Sequence, residues 1–216
     1  MLIMKKKSIA LAILAVLSAP TMAADDGSNW VFRTGVAHVS PNDDSGSVLG
    51  GGVGVDADTG LGLSFTYMFD DEWGFEILGA LPFTHDIKGT GVLTGLDIGE
   101  TKHLPPTFSV VYQWGNETTY HVGAGLNYTT FFDEETTPAL DTALAGDTGL
   151  SLDDSFGLAV KFGFDTPISE DWTFSGSVYY MNIETDADVI LDGAVAATVD
   201  VEINPWVVML GVGTTF

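Results

Sequence analysis

The chain has 216 residues with 30 acidic and 7 basic side chains, no cysteine, and 45% hydrophobic content. So strong an acidic excess leaves no cationic surface for nucleic-acid phosphates, and a chain without cysteine gains nothing from disulfides. The length suits one domain, and no apolar run beyond the N-terminus reaches the roughly 20 residues of a transmembrane helix.

Residues 1–23 read as a cleaved secretory signal peptide, with 24–216 as the single folded domain. Lys5, Lys6 and Lys7 form the positive n-region, Ile9 to Leu17 the short apolar core, and Thr21-Met22-Ala23 the small residues at the cleavage site. The exported part keeps only Arg33, Lys88, Lys102 and Lys161 against all 30 acidic residues. That balance argues against an anion-selective pore. A blander cause, solubility of surface loops in a saline habitat, explains the charge equally simply.

Alternating apolar and small or polar positions then recur along the chain. The first segment is Trp30 to Ser40, with Trp30, Phe32, Thr34, Val36 and His38 on one face and Val31, Arg33, Gly35 and Ala37 on the other. In Thr59 to Phe69, Leu61, Leu63, Phe65, Tyr67 and Phe69 oppose glycines and small polar residues. Trp73 to Thr84 sets Trp73, Phe75 and Ile77 against Gly74, Glu76 and Leu78. Leu104 to Trp114, Tyr120 to Phe131, Ser155 to Asp165 and Trp172 to Ile183 repeat the pattern. The eighth, Asn204 to Phe216, puts Trp206, Val208, Leu210, Val212 and Thr214 opposite Val207, Met209, Gly211 and Gly213, and ends on an aromatic residue.

Eight such segments, each with a face oily enough for lipid, predict an all-β, eight-stranded antiparallel transmembrane barrel. The connections alternate. Asp70-Asp71-Glu72, about 115–119 and about 166–171 are short, whereas about 41–58, 85–103, 132–154 and 184–203 are long and mostly acidic. Short turns belong on the periplasmic side and long loops outside, so the location expected is the cell outer membrane. Pro82, Pro105 and Pro106 fall at similar heights on neighbouring strands. They read either as a weak spot in the wall or simply as stiffened strand ends.

If the oily faces meet lipid, the opposite faces line the lumen. Near the short-turn end these carry Arg33, Glu76, His121 and Lys161, with Gln113 and Met68 close by. In so narrow a barrel, charges of both signs at one height should pair into a plug, because an unpaired buried charge costs several kcal/mol. Higher up the inward residues are Leu78, Phe131, Tyr179, Met181, Ile183, Val207 and Met209. They form either a pocket for a small hydrophobic molecule or ordinary barrel filling.

The segments L-G-L-S-F-T-Y-M (61–68), F-E-I-L-G-A-L-P-F-T-H (75–85), H-L-P-P-T (103–107), V-G-A-G-L-N-Y-T-T-F-F-D (122–133), D-W-T-F-S-G-S-V-Y-Y-M-N-I (171–183) and P-W-V-V-M (205–209) resemble the OmpW family of outer-membrane proteins, in family order over nearly the whole exported chain. The resemblance implies passive uptake of small hydrophobic solutes through an apolar upper lumen. It implies Leu78 and Tyr179 at the floor of that lumen, and lateral exit through a gap in the wall. Tyr179 stands where the family can have Trp, which changes the pocket width.

Other readings stand beside this one. An enzyme would need a nucleophile and base in reach, and only His38 and Ser40 share a strand face, so no catalysis is expected. A structural or adhesive barrel would act through its acidic loops. Asp56/Asp58, Asp133-Glu134-Glu135, Asp153-Asp154 and Asp186/Asp188 lack the spacing of a dedicated calcium loop, so no metal or cofactor is expected. The run Gly50-Gly51-Gly52-Val53-Gly54 has no helix after it and is no phosphate cradle. Expected partners are hydrophobic solutes, outer-membrane lipid and lipopolysaccharide, and the barrel-assembly machinery through the C-terminal strand.

Overall fold

The computed structural model describes residues 29–42, 47–48 and 51–216, so the signal peptide and Gly50 lie outside the described residues. The strands are β1 (Trp30–Ser40), β2 (Ser47–Val48), β3 (Gly51–Val55), β4 (Asp58–Met68), β5 (Trp73–Ala80), β6 (Phe83–Gly91), β7 (Asp97–Leu104), β8 (Thr107–Gly115) and β9 (Thr119–Thr136). After helix α1 (Pro138–Leu144) follow β10 (Thr148–Leu152), β11 (Ser155–Pro167), β12 (Thr173–Met181), β13 (Glu184–Leu191), β14 (Ala194–Glu202) and β15 (Trp206–Thr215).

Eight of these close an antiparallel barrel in the order β1-β4-β5-β8-β9-β11-β12-β15, with β15 back against β1. At the seam Gly35 faces Gly211, the Phe216 amide donates to the Trp30 carbonyl at 2.9 Å, and the Trp30 amide donates to the Phe216 carbonyl at 3.2 Å. Closure satisfies the backbone from strand to strand, which a hydrocarbon environment demands. The outward face carries Phe108, Val110, Leu126, Leu158, Val160, Phe162, Val208 and Leu210, all exposed. Aromatic residues border this band. Trp30 lies 5.0 Å from Tyr67 and Trp73 lies 5.0 Å from Tyr112 at the short-turn end. Tyr180 lies 5.1 Å from Trp206 at the other. The ten steps from Trp206 to Phe216, at about 3.3 Å each and a tilt near 40°, span about 25 Å of membrane height, matching the lipid band of such barrels.

Two expectations need correcting. The third segment ends at Ala80 rather than Thr84, and the fourth begins at Thr107 rather than Leu104, because Pro82 and the Pro105-Pro106 pair interrupt them. The long connections are also strands rather than plain loops. Above the membrane β9 continues into a sheet with β7, β6, β3 and β2, and β10, β13 and β14 form a second sheet. Their inward residues, among them Phe83, Ile87, Leu152, Ala187, Val201 and Ile203, are buried, which extends the barrel's core outward from the membrane. Their outward residues are mostly polar or acidic because they meet water instead of lipid.

The prolines mark a change of partner. β5 pairs with β8 only as far as Leu78 opposite Thr107, and β6 pairs with β7 from Phe83 opposite His103. Between these ladders lie 79–82 on one side and 105–106 on the other. Among the described residues no hydrogen bond crosses from one to the other.

Candidate functional site: a sealed lower lumen beneath an apolar cleft

Alternation along β1, β5 and β11 carries Arg33, Glu76 and Lys161 inward at nearly one height, and the structure brings them into contact. Lys161 Nζ donates to Glu76 Oε2 at 2.5 Å, and Arg33 Nη1 lies 3.5 Å from the same oxygen. Arg33 Nη1 also donates to Thr66 Oγ1 at 2.9 Å, and Thr66 donates to Glu76 at 3.0 Å.

A fourth charge completes the cluster. Asp165 on β11 accepts from Arg33 Nε at 3.0 Å and from Nη2 at 2.7 Å, a bidentate pair. Two cations and two carboxylates therefore balance in a space closed to solvent, with Arg33 3% and Glu76 1% exposed. Asp165 was not among the sequence candidates, yet it shares the inward parity of Lys161 and Gly163. His121 is also buried, 3.6 Å from Asp165 and beyond hydrogen-bond length. Below the cluster a polar vestibule opens toward the short turns, lined in part by Met68, Gln113, Asp70 and Asp71. Gln113 Nε2 donates to the Asp71 carbonyl there at 3.0 Å.

Tyr179 joins this lower region to the upper one. Its hydroxyl lies 3.4 Å from Glu76 Oε1, and Lys161 Nζ sits 5.2 Å from its ring centre. The ring forms part of the floor of a narrow cleft. Of the expected residues, Leu78, Tyr179, Met181, Ile183, Val207 and Met209 line this cleft. Phe131 does not. It lies one layer higher in the same buried core, its ring 6.1 Å from that of His103, which does line the cleft. Ala37, Val39, Phe83 and Pro205 also line it and were not anticipated. The walls present carbon almost throughout and lie close together, so the cleft holds only about 20 Å³ of free volume.

The cleft reaches the wall break, since Gly79, Ala80 and Pro105 are part of its lining. A β-carbon built on Gly79 would meet no atom within 4 Å. Burial pushes the His103 imidazole down to about 3, with the neighbouring His85 adding to the effect, so the cleft carries no charge from it near neutral pH. The rings of His85 and His103 stack at 4.7 Å.

The remaining lysines among the described residues lie outside the barrel wall, Lys88 paired with Asp56 and Lys102 with Asp133 at 3.2 Å. His38 contacts Thr59 Oγ1 at 2.8 Å on the outward face. Gly51, Gly52, Val53 and Gly54 are part of strand β3.

Comparison with known proteins places this geometry. The sequence profile of the OmpW family matches residues 26–216. The chain is 47% identical over 220 residues to outer membrane protein W of Vibrio cholerae, covering 99% of this chain and 100% of the relative. It is 26% identical over 222 residues to the dibenzothiophene metabolism operon protein PahQ of Pseudomonas aeruginosa, covering 99% of this chain and 100% of that one. The crystal structure of the outer membrane protein OprG from Pseudomonas aeruginosa superimposes with a TM-score of 0.79 at 37% identity, over 88% of this chain and 96% of that chain. The closed eight-stranded barrel is thus that of a known group of outer-membrane proteins, and the chain belongs to the OmpW family.

Proposed function

We propose that the barrel takes small uncharged apolar molecules from the outside into the cleft and releases them sideways, through the break between β5 and β8, into the outer membrane. One observation carries this reading: a carbon-lined cleft sits directly above a charge-paired cluster and reaches a break in the wall that no hydrogen bond crosses among the described residues. A solute that enters from above meets no route downward except through buried ion pairs, and the wall break is the opening with no ladder to unzip. Met181 and Met209, which are unbranched and adaptable, and Leu78 must shift to admit a guest, because little free space exists beforehand. The relative named for dibenzothiophene metabolism is consistent with guests of this kind. On this reading the protein is a passive conduit without catalysis. Its lipid-facing wall meets outer-membrane lipid and lipopolysaccharide, and the β15 segment ending at Phe216 is what the assembly machinery binds.

Gly79→Trp tests the side opening. The added ring has open space to occupy, so the barrel should fold and the gap should fill. Uptake of a small fluorescent naphthalene derivative into proteoliposomes should then fall severalfold. Unchanged uptake by the folded variant would remove the wall break from the route and leave the acidic outer strands as the working surface.

A further inference from the structure

The register of the barrel shows which hydrogen bond the wall break lacks. On β8 the Gln113 amide donates to the Glu72 carbonyl, and in the same register Leu78 faces Thr107. The next hydrogen-bonded pair upward in an unbroken ladder is Ala80 with Pro105, since such pairs recur at every second residue. Pro105 has no N–H to give, but its carbonyl could still accept from the Ala80 amide. It does not. The Pro105 carbonyl accepts instead from Asn127 Nδ2 at 3.3 Å and from Thr107 Oγ1 at 3.2 Å, both inside the lumen.

Asn127 is fully buried, and its other contacts fix it in place. Its Nδ2 donates to Thr107 Oγ1 at 2.9 Å, and lies 3.5 Å from the Pro106 carbonyl and 3.7 Å from the sulfur of Met181. Its Oδ1 accepts from Thr129 Oγ1 at 2.7 Å. The side chain therefore touches one lip of the break and, through Met181, one wall of the cleft.

A second interruption of the wall gives the contrast. Between the end of the β12–β15 ladder and the start of the β13–β14 ladder, the chain also changes partners at a proline. There the break is stitched. Met181 N donates to the Pro205 carbonyl at 3.2 Å, Ile203 N to the Ile183 carbonyl at 2.9 Å, and Ile183 N to Asn204 Oδ1 at 3.0 Å. A proline alone thus does not open the wall. What distinguishes the β5–β8 break is that a buried amide draws the strand-edge carbonyl inward.

We propose that Asn127 is the positioning residue that holds the side opening apart, by taking the Pro105 carbonyl that the Ala80 amide would otherwise use. This rests on the side-exit reading above for its functional consequence, but its structural half stands alone. Without Asn127 the carbonyl turns back to Ala80, one rung is added to the ladder, and the opening narrows.

The test uses the full barrel in lipid vesicles, with hydrogen exchange read at the Ala80 amide and uptake of the naphthalene probe read in parallel. In Asn127→Leu, Ala80 exchange should slow about fivefold, the factor for one net hydrogen bond, and uptake should fall by a similar factor. Thr107→Val, which removes one of the two donors, should move both readouts in the same direction, and Thr107→Ser should restore them. If Asn127→Leu does not fold, the Thr107 pair decides. Unchanged Ala80 exchange in the folded variants overturns the inference. Slowed exchange with unchanged uptake keeps the positioning role of Asn127 and overturns its functional half. Loss of uptake in Gly79→Trp without any effect of the Asn127 or Thr107 variants leaves the side exit standing and sinks this role for Asn127.

Discussion

The two halves of the lumen are built from the same eight strands but solve opposite problems. In the lower half, Arg33, Glu76, Lys161 and Asp165 are fixed by distances of 2.5–3.5 Å, and each charge is matched. Such a cluster tolerates no loosening, because a freed charge has no water to return to. In the upper half Leu78, Met181, Ile183, Val207 and Met209 meet through carbon contacts that can be remade in many ways. Rigidity sits in the charged lower half and adaptability in the apolar upper half. Tyr179 belongs to both, with its hydroxyl toward Glu76 and its ring under the cleft.

The largest expected effect breaks the lower half. Glu76→Ala strands Lys161 and removes one of the two carboxylate partners of Arg33, and should lower stability by about 3–5 kcal/mol, measured as a shift of the urea midpoint in vesicles. A loss below about 1 kcal/mol would mean that water already reaches the cluster. The same variant should raise ionic conductance.

Changing the upper half should do the reverse, sparing stability more than transport. Leu78→Arg puts a charge at the floor of the cleft, and uptake of the apolar probe should fall about tenfold or more, since an unpaired charge there disfavours an apolar guest by more than about 1.4 kcal/mol. Uptake equal to wild type would take the cleft out of the route.

The smallest effect is acid sensitivity at the top of the cleft, on β7 outside the membrane-spanning strands. Unfolded, His103 takes up a proton near its usual 6.5, whereas in the fold burial delays this to about 3. The unfolded chain therefore binds more protons in this window, so the neutral fold is favoured above about 6.5 and loses ground as pH falls toward 3. Lowering the pH from 7 to 5 should reduce the urea midpoint, and His103→Phe should remove part of that fall.

The contrast between the halves was largely legible in the sequence because strand alternation assigns inside and outside residue by residue. Arg33, Glu76 and Lys161 are few enough, and close enough in height, that contact between opposite charges follows, although two cations and one carboxylate leave a positive charge unmatched. Asp165 escaped because it sits where a strand was expected to end, although its parity with Lys161 marks it. The outer strands escaped for a physical reason. Within the membrane a strand announces itself by an oily outward face, but in β6 and β13 the outward residues are Thr84, Asp86, Lys88, Glu184 and Asp186, so the same alternation looks like a polar loop. The prolines pointed to the wall break, but whether a proline opens or merely stiffens a wall depends on where its carbonyl goes. That was set by Asn127, 22 residues away from Pro105 in the chain.

The most direct measurement places wild-type protein in vesicles and reads ionic current and uptake of the apolar probe on the same preparation. We expect no steady current, together with probe uptake clearly faster than in protein-free vesicles. A large steady current, or uptake no faster than through lipid alone, would contradict a barrel sealed below and open to apolar guests above.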